Sequence, residues 1–201
     1  MKTLLKCLIA ASIALSGHAR ASFHLFDIQE VFSNSDGSVL FIELFSSTGG
    51  QQFLSGHSLT FQINTAIQNT INFTNLPGDT TSKTFLVGTA NLGTLYGVTP
   101  DYVIPANFFT AGANNFLNFA EGTDRVNLTS LPVNGSSSLN GLIGNAGQTS
   151  AATSVNTQAT PTNFAGQTAV IPEPGGTALI CLTAGLAGFR RRRPATMKMD
   201  L

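Results

Sequence analysis

Residues 23–45 decide the fold: Phe23-His24-Leu25-Phe26-Asp27-Ile28-Gln29-Glu30-Val31, then Asn34-Ser35-Asp36-Gly37, then Val39-Leu40-Phe41-Ile42-Glu43-Leu44-Phe45. The central Asp-Gly is turn chemistry, because Gly adopts the left-handed backbone of a tight hairpin without a steric cost. After it the chain alternates with period two. Leu40, Ile42 and Leu44 share one face of a strand, and Phe41, Glu43 and Phe45 share the other. The reading is a β-hairpin whose buried face includes Ile28, Val31, Leu40, Ile42 and Leu44.

The same pattern continues outward. Gly49-Gly50 marks the next turn, and Leu59, Phe61 and Ile63 fall on one face of a third strand. Further strands are expected at 70–76, 83–88, 101–109, 115–120, 125–129 and 139–143, with one helical turn within 89–96. Eight or nine short strands punctuated by turns make residues 22–143 an all-β domain, an antiparallel sandwich. Its core is expected to hold Phe61, Leu59 and Phe85 with the five residues of the first hairpin. From Asn145 to Thr168 the chain is mostly Ala, Thr, Ser, Asn, Gln and Gly without periodicity. Residues 144–171 therefore read as a flexible stalk, with Pro161 and Phe164 as the residues able to dock on the sandwich.

Charge separates the chain into unlike pieces. Only 10% of its 201 residues are charged, against about 25% in an ordinary globular chain. Lysine and arginine concentrate at the two ends. Between residues 22 and 171 only Lys83 and Arg125 face eight acids, so the middle carries −6. An acidic domain argues against a nucleic-acid partner. Residues 1–21 have two lysines, an apolar run from Cys7 to Leu15, and Ala19-Arg20-Ala21, a small-x-small pattern. They read as a secretory signal peptide cut between Ala21 and Ser22 by signal peptidase. The two cysteines, Cys7 and Cys181, lie outside the domain, which leaves it without a thiol nucleophile, disulfide or Cys-bound metal.

At the other end stand Pro172-Glu173-Pro174, an uncharged apolar stretch from Thr177 to Phe189, and Arg190, Arg191, Arg192 and Arg193. Two prolines around one acid hold the backbone extended. The apolar stretch reads as a short membrane helix, and the arginines stop transfer and stay cytoplasmic. Residues 194–201 then form a short cytoplasmic tail. These three parts in this order resemble the PEP-CTERM sorting signal of Gram-negative bacteria. The resemblance implies recognition of residues 172–193 by an exosortase, an integral-membrane cysteine transpeptidase that cuts near the PEP motif and passes the protein outward, often alongside exopolysaccharide production. The expected course is export, a transient anchor in the inner membrane, and delivery to the cell surface or beyond.

A second resemblance covers the first third of the domain. Ile28-Gln29-Glu30-Val31, Phe41-Ile42-Glu43-Leu44 and Leu54-Ser55-Gly56-His57-Ser58-Leu59-Thr60 are similar to the opening strands of lamin-tail domains, with His57 where that family commonly has Trp. The resemblance implies an immunoglobulin-like sandwich and carries no common catalytic site.

The chain holds little chemistry beyond sorting. There is no G-x-S-x-G nucleophile elbow and no H-E-x-x-H pair. His24 and Asp27 point to opposite faces of a strand. Glu30 and Glu43 can face each other across the first hairpin. Paired carboxylates serve glycoside hydrolysis, but without an aromatic platform beside them a solvated or Thr-bonded pair is the expected state. Asn34-Ser35-Asp36-Gly37 and Glu121-Gly122-Thr123-Asp124 are acidic turns explained by turn chemistry without calcium. No cofactor, metal or catalytic residue is expected. The expected function is an exported surface or extracellular-matrix structural protein. The alternative is a carbohydrate-binding module acting in an exopolysaccharide matrix. With no Trp in the chain, that would have to rely on Tyr96 and Tyr102. A pocket joining Glu30, Glu43 and His57 would instead favour a hydrolase.

Overall fold

The computed structural model describes residues 25–140, 149–151 and 154–173. They form an all-β sandwich of two mostly antiparallel sheets. The first sheet has the order β11-β9-β1-β2-β5-β6 and the second β10-β8-β7-β3-β4. Their strands are β1 (Asp27–Ser33), β2 (Leu40–Ser46), β3 (Ser58–Ile63), β4 (Ala66–Asn72), β5 (Lys83–Gly88), β6 (Tyr102–Val103), β7 (Asn115–Phe119), β8 (Asp124–Asn127), β9 (Ser138–Asn140), β10 (Thr149–Ala151) and β11 (Ser154–Asn156). Among the described residues a short helix, α1 (Asn91–Tyr96), is closed by Gly97 in the left-handed region at φ 76°.

The β1–β2 hairpin forms where the Asp-Gly turn predicts it. Gly37 takes φ 68°. Asn34 Oδ1 accepts the amide of Val39, and Asp36 Oδ1 accepts that of Ser38, both at 3.0 Å. The pairing register slips between Ile28 and Glu30, so Gln29 is the extra residue of a β-bulge. The bulge explains how Ile28 and Val31, three apart, both enter the core. All eight expected core residues are buried between the sheets, with Leu117, Phe119 and Val126 from the second sheet opposite. Phe85 is a hub of that core. It makes edge-to-face contacts with Phe26 at 4.8 Å and with Phe73 and Tyr102 at 5.7 Å each.

Three expectations change. Strand 101–109 shrinks to Tyr102–Val103, because Pro105 interrupts the ladder and Asn107 turns to φ 58°. The strand expected at 70–76 lies at 66–72, set by a tight connection at Asn64, whose φ is 57°. The third concerns the stalk. Residues 154–171 are built into the sandwich. β11 pairs with β9, and Ala159 and Ile171 are fully buried against Phe32, Phe41 and Leu86 on the outer face of the first sheet. Both faces of β2 are therefore covered. The polar composition misleads because the segment binds through backbone amides and three or four small buried side chains, which need no hydrophobic period. Pro161 is buried and Phe164 packs against the core, as their sequence suggested. The remainder of the expected stalk, 144–148 and 152–153, lies outside the described residues, as do 22–24 and 141–143 of the expected domain.

Candidate functional site

Glu30 and Glu43 stand directly opposite each other in the β1–β2 register. The register that runs from the turn back to Glu30 puts it on the outer face with Phe32, where the parity of β2 also puts Glu43. Both are nearly inaccessible, at 2% and 5% exposure. Two carboxylates side by side and out of water cannot both ionise cheaply. Burial raises the Glu30 carboxyl, and hydrogen bonds from Ser138 and Thr160 partly offset this. Burial pushes Glu43 up to about 8. One amide donor at Thr162 opposes this rise, and the charge of Glu30 adds to it. Glu30 accepts from Ser138 and Thr160 and Glu43 from Thr162, and burial disfavours the charged form of both.

The lid over this pair is the segment from Ala159 to Ile171, a small hairpin with a bridge between Thr162 and Thr168. Its odd-numbered residues pair with the return arm. Ile171 donates to the carbonyl of Ala159 at 2.9 Å, Ala169 to that of Pro161 at 3.2 Å, and Asn163 to that of Gln167 at 3.0 Å. In extended backbone the alternate amides point the other way, here onto the sheet. Thr160 N–H donates to Glu30 Oε1 at 3.1 Å, Thr162 N–H to Glu43 Oε2 at 2.6 Å, and Phe164 N–H to Asp101 Oδ2 at 2.9 Å. Ser138 Oγ adds a 2.5 Å bond to Glu30 Oε1. Asp101 Oδ2 also accepts from Leu86 N–H at 2.8 Å, and burial raises its carboxyl. The expected Thr-bonded state of the glutamate pair is what forms. Thr160-Pro161-Thr162 is the sequence signal for it, a two-residue alternation around a proline. Asp101 was not singled out by sequence, and its proximity to Phe164 comes only from the fold.

The pocket that would join Glu30, Glu43 and His57 does not form. The glutamates lie under residues 160–162 on the first sheet. His57 precedes β3 in the second, and its Nδ1 lies 2.9 Å from Glu121 Oε2. The acidic turn at 121–124 is a 3-10 turn with Glu121 at φ 57° and Gly122 at φ 100°. It sends Glu121 out to His57 and Asp124 inward. Asp124 is fully buried and accepts Ile28 N–H at 2.7 Å. Burial pushes its carboxyl up to about 6, with the charge of Asp27 adding to the rise. Among the described residues no group of three or more His, Cys, Asp or Glu could hold a metal.

The two tyrosines pack against different cores, Tyr102 with the inter-sheet core and Tyr96 with the outer one. Tyr102 donates its hydroxyl to the carbonyl of Thr74 at 2.6 Å, and its ring meets Phe73 edge-on. They do not form a paired platform for a sugar.

Of the expected sorting residues, Pro172 and Glu173 are described. They are exposed immediately after the buried Ile171 and line an open cleft with Asn34, Ser35, Tyr96 and Asn134. Pro174, Arg190, Arg191, Arg192 and Arg193, and the cleavage residues Ala19, Ala21 and Ser22, lie outside the described residues. Among the described residues no helix is long and apolar enough to cross a membrane. Comparison with protein-family models, with curated proteins and with solved structures finds no match for the chain.

Proposed function

We propose that this chain is an exported structural protein of the cell surface or extracellular matrix, sorted by an exosortase through residues 172–193. The observation that carries the reading is the order of chemical parts in the sequence. A leader with a small-x-small cleavage pattern stands at one end. At the other stand Pro172-Glu173-Pro174, an uncharged apolar stretch and four arginines. Each part has a separate physical task, namely export, extended presentation to a peptide-cutting enzyme, anchorage and stop of transfer. In this reading the β domain is the cargo and performs no catalysis. Its two glutamates are bonded to the chain's own amides and lie out of water.

We further propose that the sandwich is lamin-tail-like and immunoglobulin-like. Support comes from where the three motif segments fall. Ile28–Val31 lies in β1, Phe41–Leu44 in β2, and the Leu54-Ser55-Gly56-His57 segment leads into β3.

Mass spectrometry of the secreted form tests the sorting reading. The expected product begins at Ser22 and ends near Pro172. A secreted chain that retains Arg190–Arg193 overturns it.

A further inference from the structure

The outer face of the first sheet holds one feature that sorting does not require. Three carboxylates from three parts of the fold take three alternate amides of one extended segment. Glu30 on β1, Glu43 on β2 and Asp101 ahead of β6 accept from Thr160, Thr162 and Phe164. The segment thus crosses the strands like a strap. Its apolar content is small. Ala159, Pro161, Asn163 and Ile171 are the side chains it buries, and the carboxylate–amide bonds add to those of Ala159 N–H to Ser136 and Asn163 Nδ2 to Thr99 in attaching it. Two of those carboxylates are in direct register and out of water.

We propose that residues 159–171 are a proton-operated strap: it stays closed while Glu30 and Glu43 share a proton, and opens when both are charged. A shared proton removes the repulsion between two carboxylates on adjacent strands, about 5 Å apart by sheet spacing. When it leaves, the second charge is trapped under the strap, and among the described residues no ion pair reaches either glutamate. Opening the strap hydrates both groups. The charged and titratable groups around the pair support this assignment. β1 also carries Asp27, whose charge acts on Asp124 of the second sheet and not on the pair. β2 adds only Glu43. At the β5 edge Lys83 lies 5.8 Å from the Phe164 ring, not on the glutamates. Asp101 is a third acid under the strap, and α1 contributes Tyr96. β9, β11 and the strap itself contribute no ionisable side chain.

The direction follows from linkage. The pair binds its proton more tightly with the strap closed than it would in water. Closure is therefore favoured most below the ordinary carboxyl range. It weakens as pH rises through the window from about 4.5, the free value, to about 8. Opening that releases one proton changes the opening equilibrium by up to about tenfold per pH unit within that window. Pro172 and Glu173 follow Ile171 directly, so opening also frees them from the domain surface. That consequence for sorting rests on the function proposed above, whereas the strap itself does not.

The test is hydrogen exchange on the full chain in detergent micelles, read on peptides spanning 155–173 and corrected for the intrinsic pH dependence of exchange. The expected result is strong protection of the strap amides at pH 5. That protection should fall at least tenfold by pH 8 while peptides from β2 and β5 keep theirs. Glu43→Gln keeps an acceptor for Thr162 but cannot ionise, and should hold the strap closed at pH 8. A wild-type strap protected equally at pH 5 and pH 8 overturns the proposal. So does a strap unprotected at pH 5, or a folded Glu43→Gln chain that loses protection as wild type does. If Glu43→Gln does not fold, the wild-type pH series decides alone. Because the readout involves no exosortase, failure here leaves the sorting proposal standing, and failure of sorting leaves the strap.

Discussion

The amide of Ile28 donates to Asp124 Oδ2 at 2.7 Å, tying β1 of one sheet to the first residue of β8 in the other. The bond sits inside the sandwich, where an unpaired amide costs about 1–3 kcal/mol. Asp124→Ala removes the acceptor and should destabilise the domain by about that amount in urea unfolding. Asp124→Asn retains an oxygen for Ile28 and should lose less. If Asp124→Ala melts with wild type, the bond does not bridge the sheets in solution.

A pH dependence of the whole domain follows from its buried acids. Asp124 is raised to about 6 and Glu43 to about 8, with Glu30 and Asp101 raised as well. For a raised carboxyl the stabilising contribution is complete below the unfolded value and disappears as pH rises through the folded one. For Asp124 that window runs from about 3.8 to about 6, and for Glu43 from about 4.5 to about 8. Asp36 and Asp79 are lowered by hydrogen bonds to Ser38 and Thr81, which acts in the opposite direction as pH falls below 3.8. They are exposed, so solvent screens their effect. The melting temperature should therefore be higher at pH 5 than at pH 8. A scan that rises steadily from pH 5 to pH 8 would contradict the burial of these carboxyls.

Neighbouring residues of β2 should respond differently to truncation. Ile42 lies in the core between the sheets, and Phe41 lies on the opposite face, stacked on Phe32 at 5.3 Å beneath the strap. Ile42→Ala should cost about 2–5 kcal/mol, and Ile42→Asp should unfold the domain, because a buried charge without a partner costs several kcal/mol against a total of roughly 5–15. Phe41→Ala should also destabilise, and in addition should expose Phe164 to chymotrypsin under native conditions. Ile42→Asp melting with wild type would put the wrong face of β2 inside.

These contrasts mark what the sequence could say. The hairpin from Asp27 to Ser46 was legible because Asp36-Gly37 fixes the turn and Leu40, Ile42 and Leu44 fix the face. Phe85 and Phe61 joined the core on the same alternation. The bulge at Gln29 was not legible, since one unpaired residue leaves no trace in a pattern with mixed residues. The strap was hidden for a different reason. Its attachment is made by the amides of Thr160, Thr162 and Phe164, and every residue but proline has an amide, so composition reads the segment as a linker. The Glu30–Glu43 pairing could be read from the hairpin register, but their burial required knowing what crossed over them. His57 and Glu121 meet across 64 residues, a closure that only the packed sheets provide.

The sorting proposal makes the sharpest demand on cells. Replacing Pro172, Glu173 and Pro174 with alanine removes two prolines that favour extended backbone and the acid between them. The precursor should then accumulate uncut in the inner membrane. Replacing Arg190, Arg191, Arg192 and Arg193 with glutamine removes the positive charge that stops transfer. That chain should pass into the periplasm unprocessed. Pro172 and Glu173 are exposed beyond Ile171, so both mutants should keep the melting temperature of the domain. Fractionation with an antibody to the β domain reads the first two outcomes, and thermal unfolding of the recovered chain reads the third. Normal surface delivery of the alanine mutant would make residues 172–193 an ordinary anchor. Loss of delivery only when Ile42→Asp unfolds the domain would move recognition from the C-terminal segment to the sandwich itself.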